Sequence, residues 1–371
     1  MTDALDSNTN PDWASGLSDP RHKLLRNEIR QRLEEALLRS GDALSDPDLS
    51  GLPGSIRLRV KGALAAWHAM RKTVDGVLSP TLTEMLKSFG ILNLSRYFDR
   101  FTRDLLPYGF DGRPAEQLSS VAQYTSIWLA FDIRGGMFYE PTPPLHRLLD
   151  AAYIADDVPI GMLKLPVDTL CIIPEPSLWK RAGDVEAITV LRNAQSISFV
   201  AWIKGHGGNG GMDAITLPLI NPDETIHTLI DRLLQTGPQS AQPDDVDVGQ
   251  FWRRTLDYAI KMLLYLNARD ASVVHDRAYS TAPRLFTGLG KRKRTQRLAE
   301  IEQLYDRHLV GPAILDSGIA ESVPAEGAHH EVRGHWRRPH FRMQPHGPQA
   351  SLRKLIFVGP TIVRADRLGL H

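Results

Sequence analysis

The sequence has little cysteine and no long apolar run. Cys171 is the only thiol among 371 residues, so an internal disulfide is excluded, and structural zinc or iron–sulfur sites, which usually need several cysteines, are disfavoured. No segment approaches the roughly 20 consecutive apolar residues that span a bilayer. The N-terminus is polar and acidic, whereas a signal peptide begins basic and continues apolar. We therefore expect a cytoplasmic protein that has no membrane partner and no cofactor.

Net charge is also small, but it is distributed unevenly. The chain has 44 basic and 43 acidic side chains, and the stretch from Arg284 to His371 has 15 basic and 8 acidic ones. That stretch therefore carries a net charge of +7 (15 − 8), and the rest carries −6 (29 − 35). An anionic partner is expected to meet the C-terminal end.

Hydrophobic periodicity divides the chain and predicts an α+β fold. Apolar residues recur every four positions from Leu25 to Leu37, which predicts an amphipathic helix ending at Gly41. Further helical patterns follow at SIRLRVKGALAAWHAMRKTV, SPTLTEMLKSFG, SVAQYTSIWLAFDI and TPPLHRLLDAAYI, and FWRRTLDYAIKMLLYLNARD predicts a helix with a broad apolar face. Between Gly161 and Asn221 the apolar residues form short runs separated by Pro and Gly, including MLKLP, LCIIPEP and SISFVAWIKG, and these runs predict strands. We expect a helical N-terminal region, a central antiparallel sheet, and a C-terminal helix plus short β-strand module.

This pattern suggests five segments. They are a disordered N-terminus (1–20), a helical region (21–155), an antiparallel sheet with a closing helix (156–236), a linker (237–249), and a C-terminal helical and basic β module (250–371). Within the last segment, KRKRTQRLAEIEQLYDRHL predicts a basic helix, and two or three short strands are expected in the tail.

Two features that could be functional sites are better explained as structural parts of the fold. The glycine run GHGGNGG (205–211) could cradle a phosphate, but a strand pattern follows it where a phosphate loop requires a helix, and no GK[ST] follows. We expect a hairpin connection there. Cys171 lies in the apolar run TLCIIP and is expected to be buried in a strand. The motifs HExxH, GxSxG and Walker A are absent from the sequence.

The C-terminal tail is rich in groups that bind anions. Arginine and lysine would hold phosphates, and Trp336 and Phe341 could stack on unpaired bases. A metal-free ribonuclease is an alternative, in which His335 and His330 move protons and Arg333 clamps the phosphate. A third interpretation is a structural β module, in which Trp336 and Phe341 belong to the core and the arginines form a solvated face or pair with acidic groups elsewhere in the chain. The candidate binding residues are Arg333, His335, Trp336, Arg337, Arg338, Phe341, Arg342, Arg353 and Lys354.

The tail also resembles a known family. The segment HEVRGHWRR, followed by SLRKLIFVGPTIV, resembles the C-terminal signature of the second type V-A anti-CRISPR family. The matching positions are His330, Arg333, Gly334, His335, Trp336 and Pro360. The sequence departs from the pattern at Arg337 and Arg338, which follow Trp336 where the family tends to have other residues. More loosely, LDYAIKMLLYLNARD, LPVDTLCI and DAITLPLINPDETIHTLIDRLL look like the corresponding parts of those proteins.

The resemblance implies a function. It implies a protein of a phage or other mobile element that recognises the nascent N-terminal peptide of a CRISPR effector and promotes loss of the mRNA being translated. The partners that the resemblance implies are that peptide and, as alternatives, mRNA or the ribosome. The exposed edge of the middle sheet is the expected docking place for an extended peptide, and the basic tail is the expected contact with RNA or the ribosome.

Overall fold

A computed structural model of the chain describes residues 23–76, 80–174, 185–203, 211–235, 248–268, 271–312 and 335–363. Ten α-helices and twelve β-strands lie within these ranges. The predicted disordered segment 1–20 lies outside them, as do most of the glycine run and most of the predicted linker. The predicted division into five segments stays a prediction.

The N-terminal half of the fold is helical, as predicted. Its helices are α1 (Lys23–Ser45), α2 (Gly54–Val60), α3 (Ala63–Asp75), α4 (Leu82–Ser88), α5 (Ile91–Leu105) and α6 (Ala115–Ile133). Three details differ from the prediction. Helix α1 continues through Gly41, the pattern SIRLRVKGALAAWHAMRKTV is interrupted at Gly62, whose φ of 69° is left-handed, and α5 was not predicted.

The central sheet has seven strands and is mixed. In spatial order they are β6 (Gly211–Pro218), β5 (Ser196–Ile203), β4 (Val185–Asn193), β3 (Thr169–Ile172), β1 (Met137–Pro141), β8 (Arg307–Val310) and β7 (Val273–Asp276). The predicted antiparallel pairing is confirmed for β3 to β6, and the complete sheet is mixed because β1 pairs in parallel with β3 and β8. These parallel pairs join strands that are far apart in sequence.

Strands were also misassigned at two places. MLKLP is not a strand, because a short 3-10 helix (Ile160–Met162) and irregular backbone occupy that stretch. The predicted basic helix ends earlier than expected. It forms α10 (Lys291–Glu302), and the following residues of the pattern continue into β8, where they pair with β1 inside the sheet.

The sheet separates two hydrophobic cores. On one face, Phe138, Cys171 and Trp202 pack with the N-terminal helices, and the Trp202 ring stacks on Trp128 of α6 with centroids 4.5 Å apart. Cys171 is fully buried in β3, as predicted, and burial raises the pKa of its thiol. The opposite face packs against α7 (Pro143–Ala151), α8 (Ile226–Gln235) and α9 (Val248–Leu266).

The C-terminal strands form small sheets outside the central one. Strand β10 (His340–His346) pairs in parallel with β2 (Tyr153–Ile154) and antiparallel with β11 (Leu352–Val358). Strands β9 (His335–Arg337) and β12 (Thr361–Val363) form an antiparallel pair. The expected short strands in the tail are therefore present, and they number four within the described residues.

Candidate functional site

Among the described residues, no strand pairs with the outer side of β7, which forms one edge of the central sheet. The N–H of Gly311 donates to the carbonyl of Ser272 at 2.8 Å, so this opposed pair is hydrogen-bonded, and such pairs alternate along an antiparallel ladder. Val273 and His275 therefore direct their peptide groups away from β8. The side chains of Val273 and Val274 are 42% and 59% exposed. Strand β7 presents backbone donors and acceptors with which an added strand can pair.

An aromatic stack lines one face of this edge. His275 of β7 stacks on His308 of β8, with ring centroids 4.4 Å apart, and His308 stacks on Tyr139 of β1 at 4.7 Å. All three rings are nearly parallel, because the strands place these residues directly opposite one another. Burial, together with a smaller electrostatic effect of His275, lowers the pKa of His308.

An ion-pair network lines the other face. The Arg307 guanidinium of β8 donates to Glu140 of β1 at 2.8 Å and to Asp276 of β7 at 3.0 Å. The Tyr305 hydroxyl also donates to Glu140 at 2.5 Å. Burial is the largest cause of the raised Tyr305 pKa, and the Glu140 carboxylate adds to it. The network ties the edge strands to β1.

Sequence reasoning did not identify the residues of this edge. Arg307 and His308 were placed in the predicted basic helix, so their pairing with β1 could not be anticipated. The alternation of the segment RHLV was the available signal, but four residues are too few to distinguish a strand from a helix end.

The tail residue Phe341 is part of the core and not a stacking platform. Its side chain is fully buried, and its ring lies 4.8 Å from that of Phe357, which in turn contacts Tyr265 of α9 at 5.7 Å. The expectation that Phe341 stacks on an unpaired base is therefore wrong, because a base could not reach the ring without opening this core. Phe341 attaches the small sheet to α9.

The basic residues of the tail are divided between surfaces. Arg342 and Lys354 lie on the face of the small sheet opposite Phe341, according to the alternation along β10 and β11. Arg353 lies on the other face and pairs with Asp157 at 3.5 Å. Arg337 and Arg338 are exposed at the junction of β9 and β10. The structure thus brings Arg342 and Lys354 together but leaves Arg353 apart.

The proposed catalytic residues cannot be placed as a group. His330 and Arg333 lie outside the described residues, and so does Gly334. His335 and Trp336 are described as backbone positions of β9, opposite Val363 and Ile362. The ribonuclease alternative stays a prediction.

The described residues also bear on metals and membranes. Over these ranges, no group of three or more His, Cys, Asp and Glu side chains is arranged to hold a metal ion. Among the described helices, none combines the length and apolar character needed to cross a membrane.

A comparison with known protein families identifies the family to which the matched region is similar. A family model described as AcrVA2-like, anti-CRISPR type V subtype A2 family, matches residues 139–365. The matched region starts within β1 and includes β7, β8, α10 and the small C-terminal sheets. No curated protein matches the chain.

Proposed function

The chain belongs to the anti-CRISPR type V subtype A2 family, and we propose that it fulfils its anti-CRISPR role by recognising a target polypeptide during synthesis and promoting loss of the corresponding mRNA. Production of a CRISPR effector would thereby be blocked. The observation that carries the proposal is the family match over residues 139–365, which covers more than half of the chain. The protein would then derive from a phage or another mobile element.

The edge strand β7 supports recognition of an extended peptide. A nascent chain is unfolded as it emerges, and it can add to an open sheet edge through main-chain hydrogen bonds. On β7, the outward peptide groups of Val273 and His275 would supply these bonds. Alternate side chains of the added strand would then lie beside the His275 ring on one face and near Asp276 on the other.

This proposal separates peptide recognition from RNA recognition in a reporter experiment. An effector's N-terminal coding segment is fused to a fluorescent protein in three forms: natural, synonymously recoded, and frameshifted through the segment with the frame restored before the reporter. The protein is expressed beside each form, and reporter mRNA is quantified. The natural and recoded messages should both be lost, whereas the frameshifted message should persist.

The opposite pattern would reject the proposal. If the frameshifted message disappears as fast as the natural one while the recoded message survives, the nucleotide sequence is recognised and the peptide is not. Equal persistence of all three messages would exclude mRNA loss as the mode of action.

A matched pair of variants tests the edge strand itself. Val273→Pro removes an N–H that points away from β8, so it should leave the β7–β8 ladder intact and weaken docking of an added strand. Val273→Thr retains the N–H and the β-branched shape and is the control. The reporter message should persist with Val273→Pro and be lost with Val273→Thr, provided that circular dichroism gives the same spectrum for both. If both variants deplete the message equally, β7 is not the docking strand.

A further inference from the structure

A second charged surface lies outside the C-terminal tail, on helix α10. From Arg277 to Leu298 the sequence contains seven basic residues and no acidic one. Four of them, KRKR, are consecutive and begin α10, and Arg297 follows one turn later. All residues from Lys291 to Glu300 are exposed. The N-terminal half of α10 therefore projects into solvent as a concentrated positive charge.

The charge of this segment is not neutralised locally. Among the described residues, Arg297 is the only cation of α10 that forms an ion pair, with Glu300 at 2.7 Å. Within the same ranges, the four cations from Lys291 to Arg294 have no acidic partner. The first turn of α10 contains no acidic residue. Helix N-termini favour negative side chains, so four cations at this position oppose the helix dipole. A local conflict of this kind is expected where a surface serves binding.

The opposite end of α10 is held in place. Ile301 is buried, and the Arg59 guanidinium of α2 donates to the carbonyl oxygens of Glu302 at 2.9 Å and of Leu304. The same guanidinium lies 3.9 Å over the ring of Tyr279. The basic half is thus presented from a fixed base.

The distribution of the cations indicates the kind of partner. Consecutive helical residues are separated by about 100°, so four consecutive cations surround the helix. A membrane-surface helix instead has cations on one face and apolar residues on the other, and KRKRTQR contains no apolar residue. A stiff duplex, whose persistence length is about 150 base pairs, would contact one side only. A flexible single strand can follow phosphate-binding groups around the helix.

We propose that the N-terminal half of α10, Lys291–Arg297, binds the phosphate backbone of single-stranded RNA. The choice of RNA over other single strands rests on the proposed function, in which the protein acts on a message under translation. The contacts would be sequence-independent, because they are made to phosphates. RNA binding by α10 would then hold the message near the protein, while the recognised peptide decides which message it is.

Binding of a fluorescent 20-nucleotide single-stranded RNA by the full chain, measured by anisotropy at several salt concentrations, tests this inference. Changing Lys291, Arg292, Lys293 and Arg294 together to Gln should weaken binding about tenfold or more. It should also reduce the slope of log affinity against log salt by about 3, at roughly 0.7 for each lost phosphate contact.

The matched control removes four positive charges from α1, whose other face is buried in the core. On α1, Arg30, Arg32 and Arg39 each pair with a glutamate one turn away, and Arg26 lies on the same helix. Changing these four to Gln lowers the net charge by the same amount but leaves the cations of α10 in place, so RNA affinity should change by less than about twofold if the phosphates contact α10. Equal weakening by both variants would show attraction to overall charge and overturn the inference.

Two further ligands complete the test. A duplex DNA of the same length should bind more weakly than the single strand, and vesicles containing phosphatidylserine should not compete with RNA. Tighter binding of the duplex, or displacement of RNA by the vesicles, would reject the assignment to single-stranded RNA. The assay contains no ribosome or nascent chain, so a negative result rejects the role of α10 and leaves the peptide proposal to the reporter experiment.

Discussion

His275 and His308 lie face to face across the edge of the central sheet, with ring centroids 4.4 Å apart and planes inclined by 11°. Burial of His308 in this stack makes the free energy of unfolding sensitive to acid. Since the pKa of His308 is lowered on folding, the unfolded chain binds a proton more readily than the folded one. The stabilising contribution is complete above the unfolded pKa of about 6.5 and is lost as the pH falls below it. Urea unfolding at pH 7.5 and 5.5 should reveal this loss.

Replacement of the half-buried His308 ring isolates the effect. His308→Phe retains an aromatic ring between Tyr139 and His275 but cannot take up a proton, so its stability should fall less on acidification than that of the unchanged chain. His275→Asn removes only the neighbouring ring and should reduce the pH dependence without abolishing it. A His308→Phe protein with the original pH dependence would place the acid sensitivity elsewhere.

The ion pair between Arg57 of α2 and Glu186 of β4 predicts a second effect. Arg57 Nη2 lies 2.5 Å from Glu186 Oε1, and the two side chains are 9% and 23% exposed, respectively. Arg57→Met should cost about 3 kcal/mol, at the low end for loss of one partner of a buried pair, because Glu186 keeps some contact with water. The free energy of unfolding in urea measures the cost.

The double variant is the control for this pair. Arg57→Met combined with Glu186→Gln no longer leaves a carboxylate without its guanidinium, so it should be more stable than Arg57→Met alone. Equal stabilities would mean that the loss of other Arg57 contacts, among them the hydrogen bond from Nε to the Leu52 carbonyl at 2.8 Å, and not the charge on Glu186, accounts for the effect.

The hydrogen bond from Trp202 to Thr189 predicts a third effect. The indole Nε1 donates to the threonine hydroxyl at 2.7 Å, and both side chains are fully buried. Thr189→Val keeps the shape but removes the acceptor, so it should reduce the free energy of unfolding by about 1–3 kcal/mol. Thr189→Ser retains the hydroxyl and should lose less. If Val is the better tolerated replacement, the hydrogen bond does not stabilise the fold.

Helix α10 predicts opposite effects on stability and binding. Lys291→Gln removes a cation from the positive end of the helix dipole and should stabilise the helix by about 0.3–1 kcal/mol, while RNA affinity falls. Thermal unfolding and RNA anisotropy on the same preparation provide both values. A loss of RNA affinity accompanied by a loss of stability would point to damaged structure instead of a lost phosphate contact.

The sequence predicted elements with long, regular periodicity. The four-residue repeat from Leu25 to Leu37 was sufficient for α1, and the apolar face of α9 was sufficient for that helix, whereas α5 was missed. Cys171 was correctly placed in a buried strand. The antiparallel order from β3 to β6 could be predicted because strands that follow one another in sequence also pair in the sheet.

Long-range pairing could not be predicted in this way. Strand β1 pairs with β8, about 170 residues later in the chain, and no local signal in Phe138 or Arg307 indicates that partner. The role of Phe341 was left open between base stacking and the core for a related reason. A phenylalanine among arginines is equally consistent with a stacking surface and a core, and only the contact with Phe357 decides between them.

The pairing of β1 with β8 determines when the fold can be completed. The seven-stranded sheet lacks two of its strands until residue 310 has been synthesised, whereas the helices from α1 to α6 are made first. Slow closure of distant strands leaves apolar surface exposed during synthesis and favours aggregation. Trp128 of α6 is synthesised before Trp202, the residue on which it stacks. The helical layer can therefore cover that face of the partial sheet as each strand emerges. The helical layer would thus protect the incomplete sheet, which later carries the β7 edge, from aggregation during synthesis.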